Sequence, residues 1–221
     1  MHEDRNDERW AGHVRQAYDT IADDYARALP DTRAESPLEL AMVEVFADRV
    51  RDAGTVLDGG CGTGRMARHL TGLGCQVVGV DLSPGMVEQA RRLSPGVDLT
   101  VASLLDLPFG DATFAGVLLW YSTIHVPDDQ LPGLLAEAVR VVRPGGSLLL
   151  GLQAGEGSVD LSAKYAEQGH DVTLTRWRRT ADEIAAALGA VGAEEVARLV
   201  RAPAFEWEGE DQAFVLARRS D

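Results

Sequence analysis

Asp58, Gly60, Gly62 and Gly64 alternate with other residues inside TVLDGGCGTGRMARHL (55–70), and a second acid, Asp81, ends the next apolar run. A short apolar stretch that closes on an acid and then runs through glycines into a helical pattern is a strand-to-helix turn. Such a turn brings backbone close to a ligand and aims a helix N-terminus at it. Two uses of that device are excluded by spacing. A phosphate-cradling loop needs G-x-x-x-x-G-K-[ST], and no lysine lies here. A dinucleotide fingerprint needs G-x-G-x-x-G. Counted from Gly60, its third glycine falls on Arg65, and counted from Gly59, its second falls on Cys61. What remains is D-x-G-x-G-x-G followed by the acid Asp81.

Other chemistry-bearing residues are sparse. His2, His13, His69, His125 and His170 show no ligand spacing, and Cys61 and Cys75 have no second pair, so no metal is expected. The net charge of −14 over 221 residues repels nucleic-acid phosphates and anionic lipid, which favours a small-molecule partner, with no nucleic acid and no membrane. Lys164 is the only lysine, so nearly all positive charge is arginine. No apolar run approaches the ~18 residues of a membrane span. The charged start MHEDRNDERW lacks the apolar centre of a secretion signal, so a cytoplasmic protein without a disulfide is expected.

These residues need elements to position them. An apolar stripe of Trp10, Val14, Tyr18, Ile21, Tyr25 and Leu29 at helical spacing predicts a first helix, stopped at Pro30, behind a solvated, frayed end over 1–9. A second helix follows Pro37. Strands and helices then alternate: strands over 55–60, 76–81, 98–103, 115–122 and 147–153, and helices after Gly64, after Ser83-Pro84 and over 130–143, the last ending at Pro144-Gly145-Gly146. Thr180 and Glu183 predict a capping box for one more helix. Two closing strands, 196–202 and 212–219, are placed to pair antiparallel. Alternation of this kind means a parallel sheet covered by helices on both faces, with ligands outside the carboxyl ends of its strands.

The sequence resembles the class I S-adenosylmethionine-dependent methyltransferases, in particular the small-molecule enzymes of the methyltransferase 11/25 type. VLDGGCGTGRMARHL is similar to their first motif, VLDLGCGTGxxxxxL. VVGVDLSPGMVEQAR is similar to the second, and LDLPFGDATFAGVLLWYSTIHV and AEAVRVVRPGGSLLLG to the third and fourth. QAYDTIADDYARAL resembles the family's N-terminal pattern. The resemblance covers about residues 10–155 and more loosely the rest. It implies an α/β fold: a Rossmann-like, seven-stranded, mostly parallel sheet in a three-layer αβα sandwich, with the last strand antiparallel. One domain is expected over 1–221, with a helical lid over 1–50, a cofactor-binding core over 51–153, an acceptor-site insertion over 154–179, and a C-terminal helix and strands over 180–221.

The resemblance also implies roles. Gly60, Cys61, Gly62 and Gly64 would let the backbone touch the methionine and ribose parts of S-adenosylmethionine. Asp58 would orient the cofactor's amino group, and Asp81 would accept from both ribose hydroxyls. Leu82 and Met86 would lie against adenine. Ser103 and Leu104 stand where the family has Asp-Ala, and a serine accepts the adenine amino proton more weakly than a carboxylate. Leu119 and Trp120 would end the fourth strand beside the methionine, with Tyr18 or Tyr25 reaching over from the first helix.

Methyl transfer from a sulfonium is an in-line displacement, leaving S-adenosylhomocysteine. The protein mainly holds the reactants in line, and a base helps when the acceptor carries a proton. His125, after the fourth strand, is the leading base candidate, followed by His170 in the insertion. Trp120, Tyr121 and Trp177 are candidates for an aromatic acceptor wall. The expected activity is O- or N-methylation of a small molecule, in a monomer or homodimer. The alternative is a protein that binds S-adenosylmethionine and catalyses another reaction or none. A nicotinamide oxidoreductase is disfavoured by the glycine spacing.

Overall fold

A computed structural model describes residues 3–221, with side chains from Trp10 onward. Seven helices, α1 (Glu3–Ala28), α2 (Pro37–Val50), α3 (Arg65–Gly72), α4 (Pro84–Leu93), α5 (Leu131–Val141), α6 (Ser162–Glu167) and α7 (Ala181–Ala190), surround nine strands. The strands are β1 (Val56–Gly59), β2 (Val77–Asp81), β3 (Asp98–Val101), β4 (Phe114–Trp120), β5 (Val142–Gln153), β6 (Ser158–Asp160), β7 (Thr175–Trp177), β8 (Ala193–Arg201) and β9 (Gln212–Arg219). Seven of them form one sheet in the order β3-β2-β1-β4-β5-β9-β8. All neighbours are parallel except that β9 runs antiparallel to both β5 and β8. The expected sheet, with its last strand reversed, is the one observed.

Every residue of β1 and β4 is buried, as strands covered on both faces must be. On one face Leu57, Val117, Leu119 and Leu150 pack under α5 and α7. On the other, Val56, Leu118 and Leu149 pack under α2 and α3. Cys61, Val87, Ala90 and Leu99 tie α4 to the sheet edge. Chain order reverses between β1 and β4, which opens a crevice above their carboxyl ends.

Local signals hold α2, α4 and α7 as expected. Ser83 Oγ accepts from Met86 N–H at 3.0 Å with Pro84 in the first turn, Thr180/Glu183 close a capping box, and Glu39 Oε2 accepts from Ser36 N–H at 2.5 Å. Each such cap contributes about 1 kcal/mol. Three expectations differ. The helix of the first stripe already begins at Glu3, where a frayed end was expected over 1–9; Met1 and His2 lie outside the described residues. The helix expected to end at Pro144–Gly146 stops at Val141, because β5 starts at Val142 and pairs with Phe114 before an irregularity shifts its register. The 154–179 segment contains its own two-stranded hairpin, β6–β7, around α6.

Candidate functional site

The crevice is roofed by α1. Tyr18, Tyr25 and Trp10 on that helix face Gly60, Gly62, Asp81, Leu82, Ser103 and Leu104 across a cleft whose back wall carries Met86, Trp120, Tyr121 and His125. The roof is fastened by one carboxylate. Asp19 Oδ1 accepts from Ser83 Oγ at 2.6 Å and from Gly85 N–H at 2.9 Å, so a residue of α1 sits on the N-terminus of α4, where negative charge is favoured.

Each glycine of the turn has a distinct task. The N–H groups of Gly60 and Cys61 both donate to Val80 O, at 2.8 and 2.9 Å, and Gly62 N–H donates to Asp81 Oδ2 at 2.7 Å. These donors are spent on holding the turn, so what the glycines offer a ligand is room. Gly60 has φ +72°, and a Cβ there would lie 2.3 Å from Ser122 Cβ. Gly62, at φ +52°, meets nothing closer than Tyr25 Cε1 at 3.9 Å and opens onto the cleft. Gly64 corrects its assignment: it does not line the cleft, and a Cβ there would press on Ser94 Oγ at 2.9 Å. Its task is to let α3 start against α4. Gly59 makes room inside the wall, since a Cβ would meet Leu119 Cδ2 at 2.8 Å and Leu104 Cδ2 at 3.0 Å.

The two acids differ: Asp58 is a buried carboxylate with unmet demand, whereas Asp81 is half-buried and each of its oxygens already accepts one backbone N–H. Asp58 is 1% exposed and its Oδ2 has no partner. Burial pushes its pKa up to about 7, opposed by Arg65 and reinforced by Asp81. It borders a small recess with Gly60, Gly62, Thr63, Arg65 and Trp120. Asp81 is raised to about 6 by burial, against the N–H bonds of Ser83 (2.9 Å) and Gly62. A buried acceptor left unpaired costs about 1–3 kcal/mol, and more when charged, which marks a place where a ligand donor belongs. Among the described residues, seven of the eleven buried side-chain polar atoms without a partner belong to residues lining this cleft or its two extensions. An ammonium group fits Asp58, and a vicinal diol fits the remaining lone pairs of Asp81.

Some other expected site residues join the cleft and some do not. Leu82, Met86, Ser103, Leu104, Trp120 and Tyr121 line it. Ser103 Oγ accepts from Leu105 N–H at 3.2 Å, leaving one lone pair where a carboxylate was absent. Cys61 reaches the recess beside Asp58, but its side chain packs among Val87, Ala90 and Leu99, and burial raises the thiol pKa. Leu119 is corrected: it lies one residue below the end of β4, fully buried in the core under α5. Trp177 is corrected as well: it lines none of these clefts, whereas its neighbour Arg176 lines the outer one. His170 is not in the cleft. Its Nε2 lies 2.8 Å from Asp24 Oδ2 and ties the insertion to α1.

His125 is buried and held at both nitrogens. Nδ1 lies 2.7 Å from Thr175 O, a carbonyl that can only accept, so Nδ1 carries the proton. Nε2, 2.9 Å from Tyr18 Oη, is therefore the acceptor of the tyrosine hydroxyl. Burial pushes the histidine pKa down to about 4 and raises that of Tyr18. Both stay neutral near pH 7, with a basic lone pair on His125. Trp120 stacks on Phe214 at 5.0 Å between centroids, and its Nε1–H donates to Glu35 at 3.2 Å. Tyr121, at φ +56°, turns the chain out of β4 and donates to Gln212 Oε1 at 2.8 Å.

The cleft continues outward past Tyr18, Tyr25 and His125 into a space bounded by Glu35, Gln153, Tyr165, Arg176 and the 207–212 segment. Glu35, Arg65, Gln153 and Arg176 were missed from sequence. Arg65 occupies the very position that breaks the dinucleotide pattern, which was a usable signal. Glu35 and Gln153 come from a loop and a strand end, and only the fold brings them together.

A doubly wound sheet with a small recess at Asp58 and a second acid at Asp81 offers room and acceptors for a nucleoside with an amino-acid tail. Residues 56–146 match the family model of the methyltransferase domain. Over those residues the chain carries a methyltransferase domain, and the proteins it is similar to are methyltransferases. "O-methyltransferase cnsE" of Penicillium expansum is 36% identical over 133 residues, covering 52% of this chain and 48% of that protein. A demethylmenaquinone methyltransferase of Symbiobacterium thermophilum is 35% identical over 148 residues, 62% of this chain and 57% of that protein. The chain thus spans about half the length of the curated relatives it matches. In fold it is similar to Burkholderia thailandensis 1,6-didemethyltoxoflavin-N1-methyltransferase, solved with S-adenosylhomocysteine. That TM-score is 0.74 at 24% identity, over 97% of this chain and 90% of that one. Among the described residues no helix is long and apolar enough to cross a membrane.

Proposed function

We propose that the protein transfers the methyl group of S-adenosylmethionine to a nitrogen or oxygen of a small molecule. The observation that carries this is the unpartnered Oδ2 of buried Asp58, placed across the glycine turn from Asp81. Asp58 would hold the cofactor's ammonium, Asp81 its ribose hydroxyls, and Leu82, Met86 and Leu104 its adenine, with Tyr18, Tyr25 and Trp120 closing over the sulfur end. When bound, the cofactor supplies an electrophilic methyl on a sulfonium. The helices over 1–50 and the insertion over 154–179 act as the lid and exclude water.

The protein's own chemistry is orientation and removal of one proton. When the acceptor atom takes the methyl group and the carbon–sulfur bond breaks, leaving S-adenosylhomocysteine, the acceptor's proton would pass to Tyr18 Oη while the Tyr18 proton passes to His125 Nε2. The Thr175 carbonyl stabilises the resulting imidazolium through Nδ1–H. His125 is then the terminal base and Tyr18 the group that touches the acceptor.

Tritium-labelled S-adenosylmethionine offered with a panel of phenols and N–H heterocycles tests this. Label should move to an extractable product. Tyr18→Phe and His125→Ala should each lower kcat by roughly 10²-fold with little change in cofactor affinity. Full turnover in both variants would remove the relay. Cofactor binding without transfer to any acceptor would favour a different reaction in the same pocket.

A further inference from the structure

The outer cleft carries a hydrogen-bonding pattern that the methyl-transfer chemistry does not use. Glu35 is 6% exposed; one carboxylate oxygen accepts from Arg65 and from Trp120 Nε1–H, while Oε2 is buried without a partner. Gln153, at the carboxyl end of β5, keeps Oε1 buried and unpartnered. Arg176 on β7 pairs with Glu210 at 2.7 Å through Nη2 but leaves its Nε–H without an acceptor. All three residues line one cleft, together with Tyr121 and Tyr165. Two unmet acceptors and one unmet donor on residues lining the same cleft describe the complement of a ligand that offers two donors and one acceptor.

The rim adds a shape requirement. Trp207 is 67% exposed at the mouth and stacks on Phe205 with centroids 4.6 Å apart and planes 5° from parallel. Arg201 stands behind that pair, 6.0 Å from the Phe205 ring. An exposed indole braced in this way offers a flat face to a flat ligand. Glu35 is pinned by two donors, so its free oxygen is fixed in place before any ligand arrives.

We propose that the outer cleft is the acceptor site and takes a planar heterocycle with a cyclic urea edge, a ring carbonyl flanked by two N–H groups, the N–H groups meeting Glu35 and Gln153 and the carbonyl meeting Arg176. This rests on the methyltransferase reading and narrows its acceptor to nitrogen heterocycles with a cyclic urea edge. Binding satisfies all three groups at once, and an analogue without N–H leaves two acceptors unpaired.

The test uses uracil and 1,3-dimethyluracil as probes, titrated by ligand-observed NMR into the protein saturated with S-adenosylhomocysteine. Uracil should bind about tenfold or more tighter than its dimethyl analogue. That preference should collapse in Gln153→Leu, an exchange confined to a strand end. Glu35→Gln, which can reverse the local dipole without emptying the space, should weaken uracil as well. Equal binding of the two probes, a preference for the dimethyl form, or no binding of either overturns the proposal. A preference for uracil that survives Gln153→Leu also overturns it. S-adenosylhomocysteine affinity is measured separately: its loss removes the methyltransferase reading itself, whereas retained affinity without probe discrimination removes only the acceptor class.

Discussion

Asp58, Asp81 and His125 are three ionisable groups whose shifts run in opposite directions, and pH separates them. Asp58 and Asp81 have folded pKa values of about 7 and about 6, raised above the unfolded value of 3.8. Their contribution to stability is therefore fully present below pH ~3.8 and is lost as pH rises through 6 to 7. An ammonium on Asp58 reverses that loss by favouring the ionised form. S-adenosylhomocysteine should thus bind more tightly at pH 8 than at pH 5.5 and release protons near pH 6.5. Calorimetry in buffers of different ionisation enthalpy reads this, and proton uptake on binding would contradict it. His125 titrates near 4, so kcat at saturating cofactor, where the Asp58 and Asp81 titrations are masked, should show no inflection at the ordinary histidine value of 6.5. A kcat profile at saturating cofactor that bends there would mean that His125 is not the base. Gly59 makes a packing prediction: Gly59→Val should drive Leu104 into the cleft, cost about 1–3 kcal/mol of stability and weaken cofactor binding, as thermal unfolding with and without S-adenosylhomocysteine would show.

At the scale of elements, α1 is the part whose position decides access. Asp19 joins it to the start of α4, and the His170–Asp24 and Gln89–Asp23 contacts add to that hold. Asp19→Ala removes the acceptor of two hydrogen bonds at one helix N-terminus. It should loosen α1, speed cofactor dissociation several-fold and expose residues 10–28 to limited proteolysis, with the sheet unaffected. Unchanged dissociation would mean that α1 is held by its apolar stripe alone. What the sequence made legible follows the same division. Period and punctuation sufficed for β1–β4 and for α2–α4, because apolar runs end at Gly, Pro and Ser, but the α5–β5 boundary falls inside an apolar run, and the sequence places it at Pro144, three residues past Val141. Leu119 was misplaced because β4 is buried on both faces, so no alternation tells which residue reaches the cleft. β6 and β7, three residues each, have no period to read, and with them went the choice between Trp177 and Arg176.

For the molecule as a whole, motif order located the cofactor half of the crevice, since one strand-turn-helix unit holds Asp58 and its glycines and the next holds Asp81. The proposed acceptor half is a cleft assembled from α1, the loop before α2, the end of β5 and the hairpin inserted before α7, residues 100 or more apart in several cases. No local pattern joins them, so Glu35, Gln153 and Arg176 appear only once the sheet is closed. The same separation explains how one cofactor fold accommodates different acceptors: the sheet fixes one half, and loops compose the other.

The central claim is that the crevice between Asp58 and Asp81 binds S-adenosylmethionine. Titration of S-adenosylhomocysteine into the wild-type chain and into Asp81→Ala, followed by calorimetry, tests it most directly. One saturable site is expected, with affinity that falls by roughly 30-fold or more in the variant, as lost charge-assisted hydrogen bonds require. Absence of binding to the wild type, or equal affinity in the two proteins, would contradict it.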